Sequence, residues 1–505
     1  MKVFKKLASL TLALTLIFCA TLFCTMPSVE AKGSSQVVIG GVLIQGADVA
    51  VATSGTVASD DGMYHLVASD ASQTAPVGTD VAQQPVSAAA SFSVPLNKGA
   101  DNSVLFKKFT VCVMKGGALT PVSNSMYITN PEACASFAPA RMDFGKKGIL
   151  PDLLTSVANK NQPADLGVKQ VNLNVPLSKL NSLAGYDYSV MKYNSQGIQV
   201  NMIILVDGNT AAQYVNPYSM DGWGAHNNYG LNAHTSEGAA ALASAASLLA
   251  RHYAGTGHGQ VDNFIIGNEV NAWWLWNYMN CGSNDVFMKE YSNAFRVMYN
   301  GIKSENATAN VYACIDHQWA RAEASYYVSG KEFLTKLNSN LKSEGNIDWR
   351  VAVHPYNAPL YAAGAWQTGK NVSHSQSSPY VTMANLDVLT DFLCTPDMLS
   401  PTGAVRTVKC SEVGYSSTNG EAAQAADVVY AYLSAENNRY VDGVVISRES
   451  DHAFDISQGM VSGLTGLDGS HKMAYEFYKN AADPSVIAQA SQAAGVDLTT
   501  LITPR

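Results

Sequence analysis

Phe264-Ile265-Ile266-Gly267-Asn268-Glu269-Val270-Asn271 is the stretch on which the fold turns. Its apolar start carries no polar alternation, which marks a strand buried on both faces and so a parallel sheet covered by helices. The run then stops on a glycine, an amide and a carboxylate. Outward from it, further apolar strand-like runs lie at 168–175, 198–206, 311–319, 349–356, 405–413 and 441–447. An earlier strand around 136–144, followed by a helix at 149–159, makes 261–270 the fourth of eight. Between the strands, 237–252 is Ala-rich with Leu242, Leu248 and Leu249 on a helical period, and 286–304 is amphipathic. Eight strands alternating with helices over 131–482 predict an α/β fold, a (β/α)8 TIM barrel. A doubly wound sheet is the alternative. The barrel is favoured because polar, aromatic and acidic residues recur just past most strand ends, which in a barrel converge on one face. The longest insertion, 207–236, holds Trp223, His226, Tyr229 and His234 and is expected to overhang that face.

Ahead of the barrel, residues 36–130 read as all-β, with short runs at 37–39, 63–67, 90–94 and 108–114 separated by Gly, Asp, Ser and Pro clusters. The strand 109–114, the turn Lys115-Gly116-Gly117 and Pro121-Val122-Ser123 resemble the last hairpin of a fibronectin type III-like sandwich. Residues 483–505 are expected to form a C-terminal tail. The N-terminus carries three lysines in residues 1–6, a mainly apolar run over 7–23 and a small residue, Ala31. That order predicts a Sec-type signal peptide over 1–31, and hence a secreted protein. No later stretch is apolar enough to cross a bilayer, so no membrane insertion is expected after cleavage.

A net charge of −8 and the lack of a Lys/Arg stripe argue against nucleic acid as a partner. Hydrophobic content of 47% with 14% charged residues describes a well-cored globular chain. Six cysteines follow the leader: Cys112, Cys134, Cys281, Cys314, Cys394 and Cys410. None falls in a CxxC or Cys/His zinc spacing. Cys112 with Cys134 and Cys394 with Cys410 are the local disulfide candidates, and buried free thiols are the equal alternative.

Two acidic residues stand out by position: Glu269 after the fourth predicted strand, and Glu412 in Cys410-Ser411-Glu412-Val413 after the seventh. Strands four and seven place two side chains on opposite sides of a bound ring. Cleaving a glycosidic bond needs such a pair, one protonated to donate to the leaving oxygen and one ionised to attack or to activate water. Without chemistry, Glu269 would cap the helix that follows it, and Glu412 would be a buried carboxylate paired with Arg406 or Arg448.

With Asn268-Glu269 and Glu412 at those strand ends, the sequence resembles the retaining glycosidases of clan GH-A. The resemblance implies Glu269 as general acid/base, Glu412 as nucleophile and Asn268 as a hydrogen-bond partner of the sugar 2-hydroxyl. His354-Pro355-Tyr356, ending the sixth predicted strand, matches the clan's His-x-Tyr and implies that Tyr356 hydrogen-bonds Glu412. The layout is also similar to a little-characterised bacterial family of secreted barrels with a β-sandwich in front. Two departures stand out. Many members carry an arginine on strand two, where this chain has Asn172 and Asn174 as weaker substitutes. The tryptophan that usually ends strand eight is replaced by Ser447-Arg448-Glu449, so that Arg448 either recognises a sugar or forms a structural ion pair.

Aromatic rings suit the C–H faces of sugars. Trp273, Trp274 and Trp276 follow Glu269, and Trp366 lies in another strand-end segment, but Trp223 and Trp319 are the preferred platforms. Asp316 and His317, ending the fifth strand, would line the substrate site. With His354 they could hold a metal only if all three converge, and no HxH or HExxH spacing is present, so neither metal nor other cofactor is expected. The expected substrate is an oligo- or polysaccharide. A carbohydrate-binding surface protein on the same barrel is the second reading, and a metal-dependent barrel hydrolase the third.

Overall fold

The computed structural model describes residues 36–152 and 162–505. The expected leader lies outside the described residues, as does most of the expected helix at 149–159.

Seven strands come first: β1 (Val38–Gln45), β2 (Asp48–Ser54), β3 (Met63–Ser69), β4 (Thr79–Pro85), β5 (Ser91–Pro95), β6 (Lys108–Lys115) and β7 (Ala118–Tyr127). They form two antiparallel sheets, β1-β2-β5 and β4-β3-β6-β7. Alternate side chains on each strand enter one core, where Val42, Val51, Tyr64, Phe92 and Val111 are buried together.

Eight parallel strands then close a barrel: β8 (Lys147–Ile149), β9 (Gln170–Pro176), β10 (Gln199–Leu205), β11 (Val261–Ile266), β12 (Asn310–Ile315), β13 (Arg350–Val353), β14 (Val408–Val413) and β15 (Val441–Ile446). The seam is made by β15 pairing with β8. From β9 on, each strand is followed by a helix: α1 (Ala184–Ser195), α2 (Ser236–His252), α3 (Asn284–Glu305), α4 (Gly330–Ser343), α5 (Asp387–Leu393), α6 (Glu421–Glu436) and α7 (Met473–Lys479). Residues after 483 form α8 (Pro484–Ala494) and a short 3-10 turn, burying Ala490 and Leu498.

The first barrel strand is not where the sequence placed it. Residues 136–144 cross the face opposite the strand C-termini, where Arg141 donates to the carbonyls of Asp262 (2.9 Å) and Thr308 (3.0 Å). Pro139 within that segment lacks the N–H a central strand needs. The strand is instead Lys147-Gly148-Ile149, and Gly148 fits where an added Cβ would lie 2.9 Å from Val445 Cγ2 and 3.1 Å from two carbonyl oxygens.

The barrel's outward residues, among them Val171, Leu173 and Val175, join the main core under the helices. Its interior is apolar in the middle, with Ile203, Ile265, Tyr312, Cys314 and Ala352 packed together. Below them lies an amide network. Asn263 donates to Asn201 (2.7 Å) and Gln199 (2.9 Å), and Asn201 to Asn172 (2.8 Å). Lys409, fully buried, pairs with Asp442 (3.0 Å) and Gln170 (2.7 Å), so its charge is compensated.

Sandwich and barrel share surface. Tyr127, at the end of β7, is buried in the barrel's core with the Arg296 guanidinium 5.4 Å from its ring, and Lys98 reaches Glu305 at 3.2 Å. All six cysteines are free, so neither local disulfide pair forms. No helix among the described residues is long and apolar enough to cross a membrane.

Candidate active site

At the end of β11 the backbone turns on Gly267 (φ +83°) and Glu269 (φ +39°). Positive φ is ordinary for glycine but strained for a residue with a Cβ, and such strain persists only where surrounding contacts impose it. Here they do. The Glu269 N–H points to Cys314 Sγ (3.4 Å), the Val270 N–H donates to the Cys314 carbonyl (2.9 Å), and the Glu269 carboxylate accepts from His354 Nδ1 at 2.7 Å. His354 itself is fully buried, with Cys314 Sγ 3.4 Å from its Nε2.

Glu412 arrives by a different device. Lys409 and Ser411 face the barrel interior, so strict alternation would turn Glu412 outward. The β14–β15 register shifts between Cys410 and Val413, and this irregularity brings Glu412 to the mouth. There Tyr356 Oη donates to Glu412 Oε1 at 2.5 Å, with Ser447 Oγ at 3.5 Å. Ala352 in β13, then His354 and Tyr356 just past it, succeed one another on the inward face, so one strand end serves both carboxylates: His354 holds Glu269 and Tyr356 holds Glu412. Neither glutamate follows its structural alternative. The turn after Glu269 has no side-chain cap, Arg406 donates to the carbonyls of Ile347, Trp349 and Met398, and Arg448 pairs with Asp455 at 3.4 Å.

The electrostatics are those of crowded carboxylates. Burial and the nearby Glu269 push the Asp316 carboxyl up to about 6. Asp316 is held by Asn271 Nδ2 (2.6 Å) and by the backbone N–H (3.0 Å) and Nε2 (2.8 Å) of Gln318. Burial works against a charged His354, but the Cys314 thiol and the Glu412 and Glu269 carboxylates outweigh it and hold the imidazole well above the ordinary histidine range. His317 Nδ1 donates to the Tyr356 carbonyl at 3.1 Å. Among the described residues, Asp316, His317 and His354 do not bring one ligand atom each within 4.8 Å of one another.

Other residues singled out in the sequence divide. Asn174, at the end of β9, is exposed at the mouth, and Asn268 beside Glu269 is half-buried. Asn172 lies below the mouth, 1% exposed, donating to the Ser411 carbonyl and accepting from Asn201. It therefore props the strand that carries Glu412 and does not meet a ligand. Trp319 is 1% exposed, edge-on to Phe392 at 5.2 Å, so it is core and not a platform. The segment containing it turns down over α4 and α5, where burying the large indole is favourable. Trp223 is 36% exposed, its ring 4.4 Å from Tyr229.

The protein family DUF5722, a family of unknown function, matches residues 180–499. The chain belongs to DUF5722. The matched span runs from α1 past α8 and includes both glutamates and the His354-Tyr356 strand end. No curated protein matches it. Among solved structures, this DUF5722 chain is similar to a family 39 glycoside hydrolase from the gut symbiont Bacteroides cellulosilyticus WH2, at 14% identity and a TM-score of 0.48, covering 89% of this chain and 83% of that one. It is also similar to GH5_18 from Streptomyces cattleya in complex with GlcNAc, at 15% identity and a TM-score of 0.44 over 68% and 80% of the two chains. A structure of fungal β-1,4-galactanases matches at 12% identity and a TM-score of 0.43, covering 66% and 99%.

Sequence reasoning named two rings of an aromatic group in this DUF5722 chain but not the group itself. His226, from the long insertion, stacks on Tyr278 with ring centroids 3.7 Å apart. Trp274 stands edge-on to both, at 5.0 and 5.2 Å, and touches Tyr326 at 5.4 Å. These rings come from the segments following β10, β11 and β12. His226, in the insertion expected to overhang the face, and Trp274, one of three tryptophans after Glu269, carried a signal; Tyr278 and Tyr326 carried none.

Proposed function

We propose that this protein is a secreted glycoside hydrolase that cleaves glycosidic bonds of an oligo- or polysaccharide by a retaining mechanism. The observation that carries the reading is the pairing of Glu269 and Glu412 with two residues of a single strand end, His354 (2.7 Å) and Tyr356 (2.5 Å). Glu412, ionised and steadied by the Tyr356 hydroxyl, attacks the anomeric carbon. The bond to the departing oxygen breaks as Glu269 gives that oxygen its proton. Water then attacks the glycosyl–Glu412 ester, with Glu269 taking the water's proton, and the sugar leaves with its anomeric configuration kept. Trp274, exposed and backed by the His226–Tyr278 stack, is the stacking surface for sugar rings in this scheme. Secretion rests on the basic and apolar order of residues 1–31. The sandwich is taken as fibronectin type III-like on its three-plus-four strand order, β1-β2-β5 over β4-β3-β6-β7.

The test is a screen of activated aryl glycosides and plant and microbial polysaccharides, followed by proton NMR of the first-formed anomer. Net retention, loss of turnover in Glu412→Ala, and azide rescue of Glu269→Ala are expected. Inversion would refute the retaining assignment, and full turnover by Glu412→Ala the site itself. The exposed Trp274 alone also suits a carbohydrate-binding protein without turnover. That reading predicts binding to the same polysaccharides that survives both glutamate substitutions, with no product released.

A further inference from the structure

At the end of the barrel opposite the mouth, a second group of chemistry-bearing side chains converges. Asp187 comes from α1, His252 is the last residue of α2, and His258 stands in the loop that leads into β11. His252 Nε2 lies 2.8 Å from Asp187 Oδ1, and His258 Nδ1 lies 3.1 Å from Asp187 Oδ2. The Tyr253 hydroxyl donates to Oδ1 at 2.9 Å and so fixes the carboxylate's orientation. One ligand atom from each of the three residues lies within 4.8 Å of the others.

The loop is built to present His258. Gly257 (φ +97°) and Gly259 (φ +83°) flank it, and a Cβ at Gly259 would come within 2.7 Å of Val190 Cγ1 and 2.9 Å of Asn194 Oδ1. The loop therefore lies directly on α1. A stretch with three glycines in five residues (255–259) has little apolar surface to order it. What fastens it is polar: Gln260 N–H on Asn194 Oδ1 (2.5 Å) and His258 on Asp187. His252, Thr256 and His258 also line a groove of about 1050 Å³ between the sandwich and the barrel, which supplies an entry path for a small solute.

We propose that Asp187, His252 and His258 form a site for a divalent transition metal of the zinc class, which clamps the 253–260 loop to α1. The donor set selects the metal. Two imidazole nitrogens and one carboxylate oxygen suit zinc and its neighbours, whereas calcium and magnesium take oxygen donors. Ligand atoms about a tetrahedral zinc stand roughly 3.3–3.5 Å apart, given bonds of about 2.0–2.2 Å. The two histidine–carboxylate separations are already close to that. The stacked imidazoles, with centroids 3.8 Å apart, need only a rotation of the half-exposed His258 to splay about one ion, with water from the groove completing the shell. No spacing motif announces the site, because Asp187 comes from an earlier helix than the two histidines.

The experiment uses the full chain without an affinity tag, stripped with chelator and titrated with zinc chloride by calorimetry. Wild type is expected to bind one zinc, and both His258→Gln and Asp187→Asn to bind at least ten-fold more weakly. Cobalt-loaded wild type should show a visible d–d absorption band that His258→Gln lacks, and zinc should raise the melting temperature of wild type but not of that variant. His258 is half-exposed on a loop, and metal-free His258→Gln melting with metal-free wild type separates loss of the site from loss of the fold. Zinc binding equally tight in wild type and His258→Gln, or no saturable binding to wild type, overturns the proposal and leaves the three residues as a hydrogen-bonded network. The measurement is independent of any glycosidase activity.

Discussion

Glu269 is held in a left-handed backbone conformation that an acidic residue seldom takes, at φ +39°, and both ends of its side-chain network are buried. The Asn-Glu pair was legible in the sequence. The strain was not, because it depends on Cys314 and His354, which are distant in sequence and meet Glu269 only in the closed barrel. Two outcomes follow at this scale. Tyr356→Phe removes the 2.5 Å hydrogen bond to Glu412 and, on the proposed mechanism, lowers kcat by about 10²-fold with KM little changed, since one charge-stabilising donor is lost. Asp316, raised to about 6 by burial and by Glu269, is neutral below that pH and negative above it. The pH–rate profile should therefore carry an inflection near 6 that Asp316→Asn abolishes. An unchanged profile in that variant would place the ionisation elsewhere.

Among the elements, the long apolar strands β9 to β12, β14 and β15 were all visible as runs of Val, Ile and Phe, because burial on both faces leaves a continuous signal. β8 was not: it is three residues long with one aliphatic side chain, and its pairing is decided by space for Gly148. β4 was missed in the sandwich for the opposite reason, being mostly exposed and polar. The aromatic group at the mouth escaped because three separate segments build it. Trp274→Ala should raise KM for long oligosaccharides about ten-fold while sparing a short aryl glycoside, consistent with about 0.5–1.5 kcal/mol for a ring contact. Equal loss on both substrates would mean that Trp274 supports the loop and not the ligand. Gly267→Ala would place a Cβ 2.7 Å from Val270 Cγ2 at φ +83°, and should lower stability by about 1–3 kcal/mol in chemical denaturation.

At the level of the whole molecule, Asp427 on α6 ties the segment after β13 to the helical wall, accepting from the N–H groups of Gly364 (2.9 Å) and Ala365 (2.6 Å). Burial raises its carboxyl to about 7 even though those two bonds act to lower it. A carboxyl raised in the folded state binds its proton more tightly there than in the unfolded chain. Asp427 therefore carries no penalty in acid, and its cost to stability grows as pH rises from about 4 to about 7. Asp427→Asn should match wild type at pH 4 and exceed it above pH 7, by up to about 4 kcal/mol. A gap in melting temperature between Asp427→Asn and wild type that does not widen between pH 4 and 7 would contradict this. Since Tyr127 of the sandwich is buried in the barrel core, calorimetry is also expected to show one unfolding transition. Two resolved transitions would mean that the sandwich is only an appendage.

The β8–β15 seam sets Lys147 beside Val444, near opposite ends of the barrel sequence. A growing chain that has emerged only as far as β14 is an open sheet with two bare edges, and its two glutamates have no closed rim to share. Closure is thus a late event in synthesis, governed by the arrival of the last strand and by the entropy of so long a loop. On the proposed export route, in which the chain would cross a membrane unfolded, that delay would let the rim that carries Glu269 and Glu412 take shape only after crossing.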